Sequence, residues 1–232
     1  MKRFLSRLFL FLLLFGVLLM LADKLTSYGL RQFMSGEFGT WSDLYHGRIN
    51  ADLVVVGSSR AMVHVSPNIL SEKLDLNVYN LGHNGQHFPL QRVRFQEYQQ
   101  FNSTPRWLIQ TVDITSLHDR ETVFQYEQFL PWFDRDDLVT AVAHYEGFEE
   151  PDRWLPMYRY RGRPELVRTG VGHALGWEKS NSERDRGYIG RDLEWDGTFD
   201  KFAKKHKDGY KSGIDATIES SMDTFVQQQT DT

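Results

Sequence analysis

A three-layer α/β fold carrying an N-terminal membrane helix is predicted by three features of the sequence. Four consecutive apolar residues, Leu53 to Val56, stop at Gly57, as expected of a strand buried on both faces in a parallel sheet. Strand-like and helix-like segments then alternate from residue 53 to residue 113, and connections of that length imply parallel pairing with right-handed crossovers. Before all of this stands an apolar run, Phe4 to Ala22, interrupted only by Ser6 and Arg7.

Nineteen residues of helix measure roughly 28 Å, close to the hydrocarbon thickness of a bilayer. An uncleaved signal anchor is expected over a cleaved signal, because the nearest cleavage candidate, Met20-Leu21-Ala22, has a large residue where a small one is needed. Residues 1–24 are thus a cytoplasmic tip and transmembrane anchor, with Lys2, Arg3 and Arg7 on the cytoplasmic side and everything after Asp23 beyond the membrane. Against Asp23, the cations Lys2, Arg3, Arg7 and Lys24 make this segment +3. With the whole chain at −4, the remainder carries −7. An acidic remainder argues against nucleic acid as a partner, since duplex binding needs clustered Lys and Arg. The chain has no cysteine, which removes disulfides, thiolate chemistry, zinc-thiolate sites and a lipidated cysteine anchor together.

Residues 25–50 read as a connector, with Gly29, Gly36 and Gly39 as breaks and a short helix from Trp41 to Arg48 capped by Thr40 or Ser42. Residues 51–232 are the α/β domain. After its first strand, Ser66 and Pro67 mark a helix start as N-cap and first helical residue. Leu76–Leu81 is the second strand, Pro89–Phe101 a helix, and Pro105–Val112 the third strand. From about 116 to 190 the alternation dissolves into aromatic and proline-bearing segments, with one helix expected at Asp136–Tyr145. So long a stretch is read as a helical, aromatic-rich insertion over the sheet, either a packing layer or a lid and acceptor-binding surface. Lys201–Lys211 is a basic run, read as a solvated face. A last helix, Ile214–Gln229, has Ile214, Ile218, Met222 and Phe225 on one face. A fourth strand is expected where the chain stops, so the domain reads as C-terminally truncated.

Chemistry concentrates at strand ends. Gly57-Ser58-Ser59-Arg60 follows the first strand, where ligands bind in open α/β sheets. Asn80-Leu-Gly82-His-Asn84-Gly85 follows the second, and glycines there let backbone N–H groups approach a ligand and converge into an oxyanion hole. In this order, about 25 residues apart, the two motifs resemble the first two sequence blocks of the SGNH or GDSL hydrolase superfamily. The nearer likeness is to membrane-anchored bacterial members with Gly-Ser-Ser in place of Gly-Asp-Ser. The resemblance covers residues 50 to 115. It implies a flavodoxin-like α/β/α domain with serine esterase or acyltransferase activity in the cell envelope. It places the nucleophile at Ser59, the oxyanion donors at the Ser59 and Gly85 main chain with Asn84 as a third candidate, and Ser58, Arg60, Asn80, Gly82 and Asp113 along the site.

Two departures stand out. The family's third block, Gly-x-Asn-Asp, falls on Gln110-Thr-Val112-Asp113, so a valine stands where a side-chain donor is expected; loss of one oxyanion donor typically costs about 3 kcal/mol. The fourth block, Asp-x-x-His, has no counterpart, and a serine hydroxyl needs a base. His64, His83, His87 and His118 are the histidines near the motifs. His83 and His87 are four apart, but Gly85 lies between them and no third ligand accompanies them, so no metal is expected. No cofactor is implied, and Gly-Ser-Ser lacks the lysine and glycine spacing of a phosphate-binding P-loop. The leading expectation is a single-pass protein of the bacterial inner membrane, anchored in the bilayer by residues 4–22, whose extracytoplasmic domain acts on acylated envelope glycans. The alternative is a non-catalytic SGNH-like module that binds polysaccharide or scaffolds an envelope assembly.

Overall fold

The apolar run becomes the first part of one long helix in the computed structural model, which describes residues 1–113, 116–118, 120–192, 194, 196–205 and 216–230. In chain order the elements are α1 (Lys2–Leu30), α2 (Gly36–Tyr45), β1 (Leu53–Val56), α3 (Ser59–His64), α4 (Pro67–Leu74), β2 (Val78–Asn80), α5 (Phe88–Phe101), β3 (Trp107–Gln110), α6 (Asp136–Val142), α7 (Pro151–Trp154), α8 (Pro164–Ala174), α9 (Thr198–Lys205) and α10 (Ala216–Thr230). The chain divides into two units. The first comprises Met1–Asn50, Val93–Thr104 and Glu121–Arg184; the second comprises Ala51–Arg92, Pro105–Arg120 and Asp185–Thr232.

In the first unit, none of residues 4–22 is buried by protein, and α1 is long and apolar enough to cross a membrane. Its last two turns are different: Asp23, Thr26, Ser27, Gly29 and Leu30 are buried. Gly29, expected as a break, lies inside the helix where α1 crosses α8. A Cβ on Gly29 would stand 1.7 Å from the Gly170 carbonyl oxygen, and one on Gly170 would stand 2.5 Å from that of Thr26. The two backbones touch, so neither position has room for a side chain. Helix α2 begins five residues before the expected start at Trp41. Ser42 is not its cap; its hydroxyl donates instead to the Arg31 carbonyl at 2.5 Å.

Helix α2 brings Trp41, Leu44 and Tyr45 into the core. Trp41 meets Phe129 edge to face with ring centroids 5.6 Å apart, and Tyr45 lies 4.3 Å from Trp132. One group of the insertion's aromatic residues therefore packs, Phe129, Trp132, Phe133 and Tyr145 being buried, while Phe124, Trp154 and Trp177 are exposed. Among them lies a charged network. Glu37 is paired with Arg94 at 2.5 Å and with Arg184, all three side chains nearly inaccessible. Arg184 also donates to Thr40 Oγ1 at 2.9 Å, and Gln128 accepts from Trp41 Nε1 at 2.8 Å. Two guanidinium groups around one carboxylate make it costly to remove any partner, because the survivors stay buried and charged.

The second unit holds a three-stranded parallel sheet in the order β2-β1-β3. Every residue of β1 is buried, as its unbroken apolar run requires. Leu53, Val55 and Val78 pack with Ala61 of α3 and with Val65, Leu70 and Leu76. Helix α4 starts as expected, Ser66 accepting from the Ile69 N–H behind Pro67. The sheet is mixed in its protection, however. Trp107 and Ile109 pair with Leu53 and Val55 and so share their face, yet they are 57 % and 37 % exposed. The helices that cover that face at β1 do not cover it at β3. In α10, Ile218 and Phe225 are buried, and Phe225 meets Phe88 edge to face at 5.7 Å. Ile214, expected on the same face, and the basic run from residue 206 onward lie outside the described residues.

Candidate active site

The sheet's register brings the carboxyl ends of all three strands level, since Val55 pairs with both Asn80 and Ile109. Beyond the strands the backbone ladder continues. Leu81 N–H donates to Val55 O, His83 N–H to Gly57 O, and Thr111 N–H to Val56 O, each at 2.8 Å. The turn after β1 is thus hydrogen-bonded directly to the turn after β2. Two glycines make this approach possible: a Cβ on Gly57 would stand 1.9 Å from Thr111 Oγ1, and one on Gly82 would stand 2.6 Å from Met62 N.

Ser58 is the N-cap of α3, accepting from Arg60 N–H, and its hydroxyl donates to Asp113 Oδ2. It is buried. Ser59 is the first residue of α3 and half-buried, and among the described residues its side chain makes no hydrogen bond. The Ser59 hydroxyl thus has no partner among the described residues, whereas that of Ser58 is committed on both sides. Arg60 is exposed. Asp113 is fixed from its own loop, its N–H donating to Ser116 Oγ at 3.2 Å while Ser116 N–H donates to its carbonyl at 2.9 Å.

Asn80 is fully buried and acts as a tie within the unit. Its amide nitrogen donates to the carbonyls of Ala61 and Val65, both at 2.8 Å, and its Oδ1 accepts from Gly82 N–H at 2.7 Å. It joins the end of β2 to the far end of α3. Gly85 has a positive φ of 66°, a conformation that favours glycine, and its carbonyl accepts from Arg120 at 2.8 Å. Asn84 is half-buried. Of the candidate histidines, His83 and His87 are buried, His64 is exposed and His118 half-buried; among the described residues none is hydrogen-bonded to Ser59. No three metal-ligating side chains come together among the described residues. Val112, where the resemblance leads one to expect an asparagine, is 54 % exposed.

Three groups escaped sequence reasoning. Ser116 and Arg120 hold the Asp113 and Gly85 loops, and their only signal is proximity in sequence to Asp113. The segment from Asp185 closes the outer side of β2: Arg186 O accepts from Asn80 N–H at 2.9 Å, and Ile189 N–H donates to Met62 O at 3.1 Å. Gly187, at φ 83°, lies so close that a Cβ would stand 1.8 Å from Asn80 O. No local pattern could have indicated that contact. Comparison of the chain with protein-family models, with curated proteins and with solved structures finds no match.

Proposed function

We propose that the second unit is an SGNH-like serine esterase or acyltransferase, held by α1 at the outer face of the bacterial inner membrane and acting on short acyl esters, such as acetyl, of envelope glycans. The observation that carries this reading is the direct hydrogen bond between the two glycine-bearing turns, His83 N–H to Gly57 O, with Asp113 joined to the first of them through Ser58. The strand order supports it. β1 connects to β2 on one side and the crossover from β2 passes β1 to reach β3 on the other, the order with which a flavodoxin-like sheet begins, and open α/β sheets bind ligands outside the carboxyl ends of their strands. In this reading the whole domain is flavodoxin-like, with helices on both faces of the sheet.

The chemistry is acyl transfer. In this reading Ser59 Oγ attacks the ester carbonyl and gives its proton to an imidazole base of the His-Asp kind that the resemblance implies; the main-chain N–H groups of Ser59 and Gly85 receive the negative oxygen, with Asn84 as a third candidate donor. Collapse of the intermediate expels the glycan hydroxyl, which takes up a proton, and leaves an acyl-serine. Water or a second hydroxyl then removes the acyl group. Ser58 and Asp113 act as a clamp on the turn, so they are positioning residues.

Val112 favours the second reading, a non-catalytic module that binds polysaccharide, because an exposed valine cannot donate to an oxyanion. Labelling of the full chain with a serine-directed fluorophosphonate separates the two. Label on the wild type that vanishes in Ser59→Ala supports the enzyme; a folded wild type that takes no label sinks it in favour of binding.

A further inference from the structure

Where α1 ends its apolar run, the first unit opens a cleft of about 460 Å3, within the size range of small-molecule sites. One wall is a single face of α1, Met20, Asp23, Lys24, Ser27 and Tyr28, at the i, i+3, i+4 spacing that shares a helix face. The other wall is the segment from Arg153 to Arg159. Asp23 sets their mutual height. Its carboxylate accepts from Met157 N–H at 3.0 Å and from Arg159 Nε at 3.1 Å, and pairs again with the second nitrogen of that guanidinium. The segment is thereby pinned one residue beyond Ala22, the end of the apolar run. Ser27 Oγ meets the Tyr160 hydroxyl at 2.8 Å one turn further on.

The cleft is lined by four cations and two carboxylates, Asp23 and Asp134, so its formal charge is +2. The carboxylates are consumed internally, Asp23 by Arg159 and Asp134 by Arg31. Lys24 is exposed and has no ion pair among the described residues. Among the described residues Arg153 has one ion pair, with Asp136, itself 89 % exposed, at 3.1 Å, a pair of little strength in water. Around these two cations stand Trp154 and Tyr28, 66 % and 58 % exposed, with Leu155 at 39 %. Exposed aromatic rings beside Lys and Arg at the end of an apolar helix are the composition of a membrane interface.

We propose that this cleft binds the headgroup of an anionic phospholipid from the leaflet in which α1 ends. The phosphate sits between Lys24 and Arg153. The acyl chains run along the exposed apolar face of α1 below Met20, and Trp154 and Leu155 enter the interface beside them. The inference rests on residues 4–22 spanning the bilayer.

Native mass spectrometry of the full chain in mild detergent, offered equal phosphatidylglycerol and phosphatidylcholine, tests it. The wild type is expected to retain one phosphatidylglycerol in preference. Lys24→Gln with Arg153→Gln should lower that affinity by roughly fivefold per charge with thermal stability unchanged, while Lys24→Arg retains it. Equal retention of the two lipids, or unchanged selectivity in the folded double variant, overturns the proposal. So does displacement of the lipid by 10-fold excess inorganic phosphate, which would mark a site for soluble anions. Alkaline extraction of membranes keeps the two readings apart. Release of the wild type would fail the anchor and the lipid site together, whereas retention without lipid selectivity would fail the lipid site alone.

Discussion

The two units bury different things. The first surrounds a carboxylate, Glu37, with two guanidinium groups and a shell of aromatic rings. The second buries aliphatic strand residues and neutral hydrogen bonds, with Asn80 as its central polar group. In the first, removing one ionic partner strands charge in a low-dielectric interior; in the second, polar groups serve backbone atoms whose loss is smaller and local. The difference separates the residues that test architecture from those that test chemistry. Among the described residues the Ser59 side chain makes no hydrogen bond, so its replacement tests the proposed chemistry rather than the fold.

The largest expected effect lies in the first unit. Glu37→Ala leaves Arg94 and Arg184 buried without their carboxylate and should cost about 3–5 kcal/mol; a urea midpoint close to wild type would show that the network contributes little and would erase the contrast between the units. Next is Asn80→Ala in the second unit, which leaves two carbonyls and the Gly82 N–H short of partners. A loss of about 2–3 kcal/mol is expected, together with weakened fluorophosphonate labelling as the β2 turn loosens. Labelling unaffected by a clear loss of stability would detach the turn from the chemistry proposed for Ser59. Ser58→Ala removes a helix cap and should cost about 1 kcal/mol, with slower labelling rather than none, because it acts through the turn.

The smallest effect is a pH dependence in the first unit. Burial raises the carboxyl of Glu97 above its ordinary value, only partly opposed by its hydrogen bond with Tyr45, whose own phenol is pushed up chiefly by burial. The folded state therefore holds the proton more tightly than the unfolded chain. Stability contributed by protonated Glu97 is present at acid pH and falls as pH rises from about 4.5 through the raised folded value. Thermal midpoints measured from pH 4 to 8 should decline less in Glu97→Gln than in the wild type. Parallel curves would remove Glu97 from the account.

Much of the second unit was legible because its signals are local. The apolar run at Leu53, the stop at Gly57 and the Ser66 cap ahead of Pro67 each depend on neighbours within a few residues, and the same holds in the first unit for the helix at Asp136–Val142. Helix α10 was legible by its apolar period. The reading of residues 25–50 was less faithful. Gly29 is a poor helix former in isolation, but contact with Gly170 keeps it helical, and that contact lies 141 residues away. The insertion's aromatic residues announced burial without announcing what they would pack against. At the candidate site, the Gly-Ser-Ser and Asn-x-Gly turns were visible as types, whereas the partner of each hydroxyl was not: Ser58, expected only along the site beside Ser59, is the one that holds Asp113.

The sequence by itself determined what depends on composition and short-range period: a helix apolar enough to enter a bilayer, a buried parallel strand, the order of strands and helices along the chain, and the identity of the small polar residues at the strand ends. Only the tertiary structure decided which distant groups meet. It paired Glu37 with Arg94 and Arg184, seated Asp23 on Arg159, closed β2 with the Arg186 segment and left Trp107 and Ile109 open to solvent. Charges carry no period that fixes a partner along the chain, and a hydrogen bond is chosen by distance and direction in space. Such choices are made only when the elements pack.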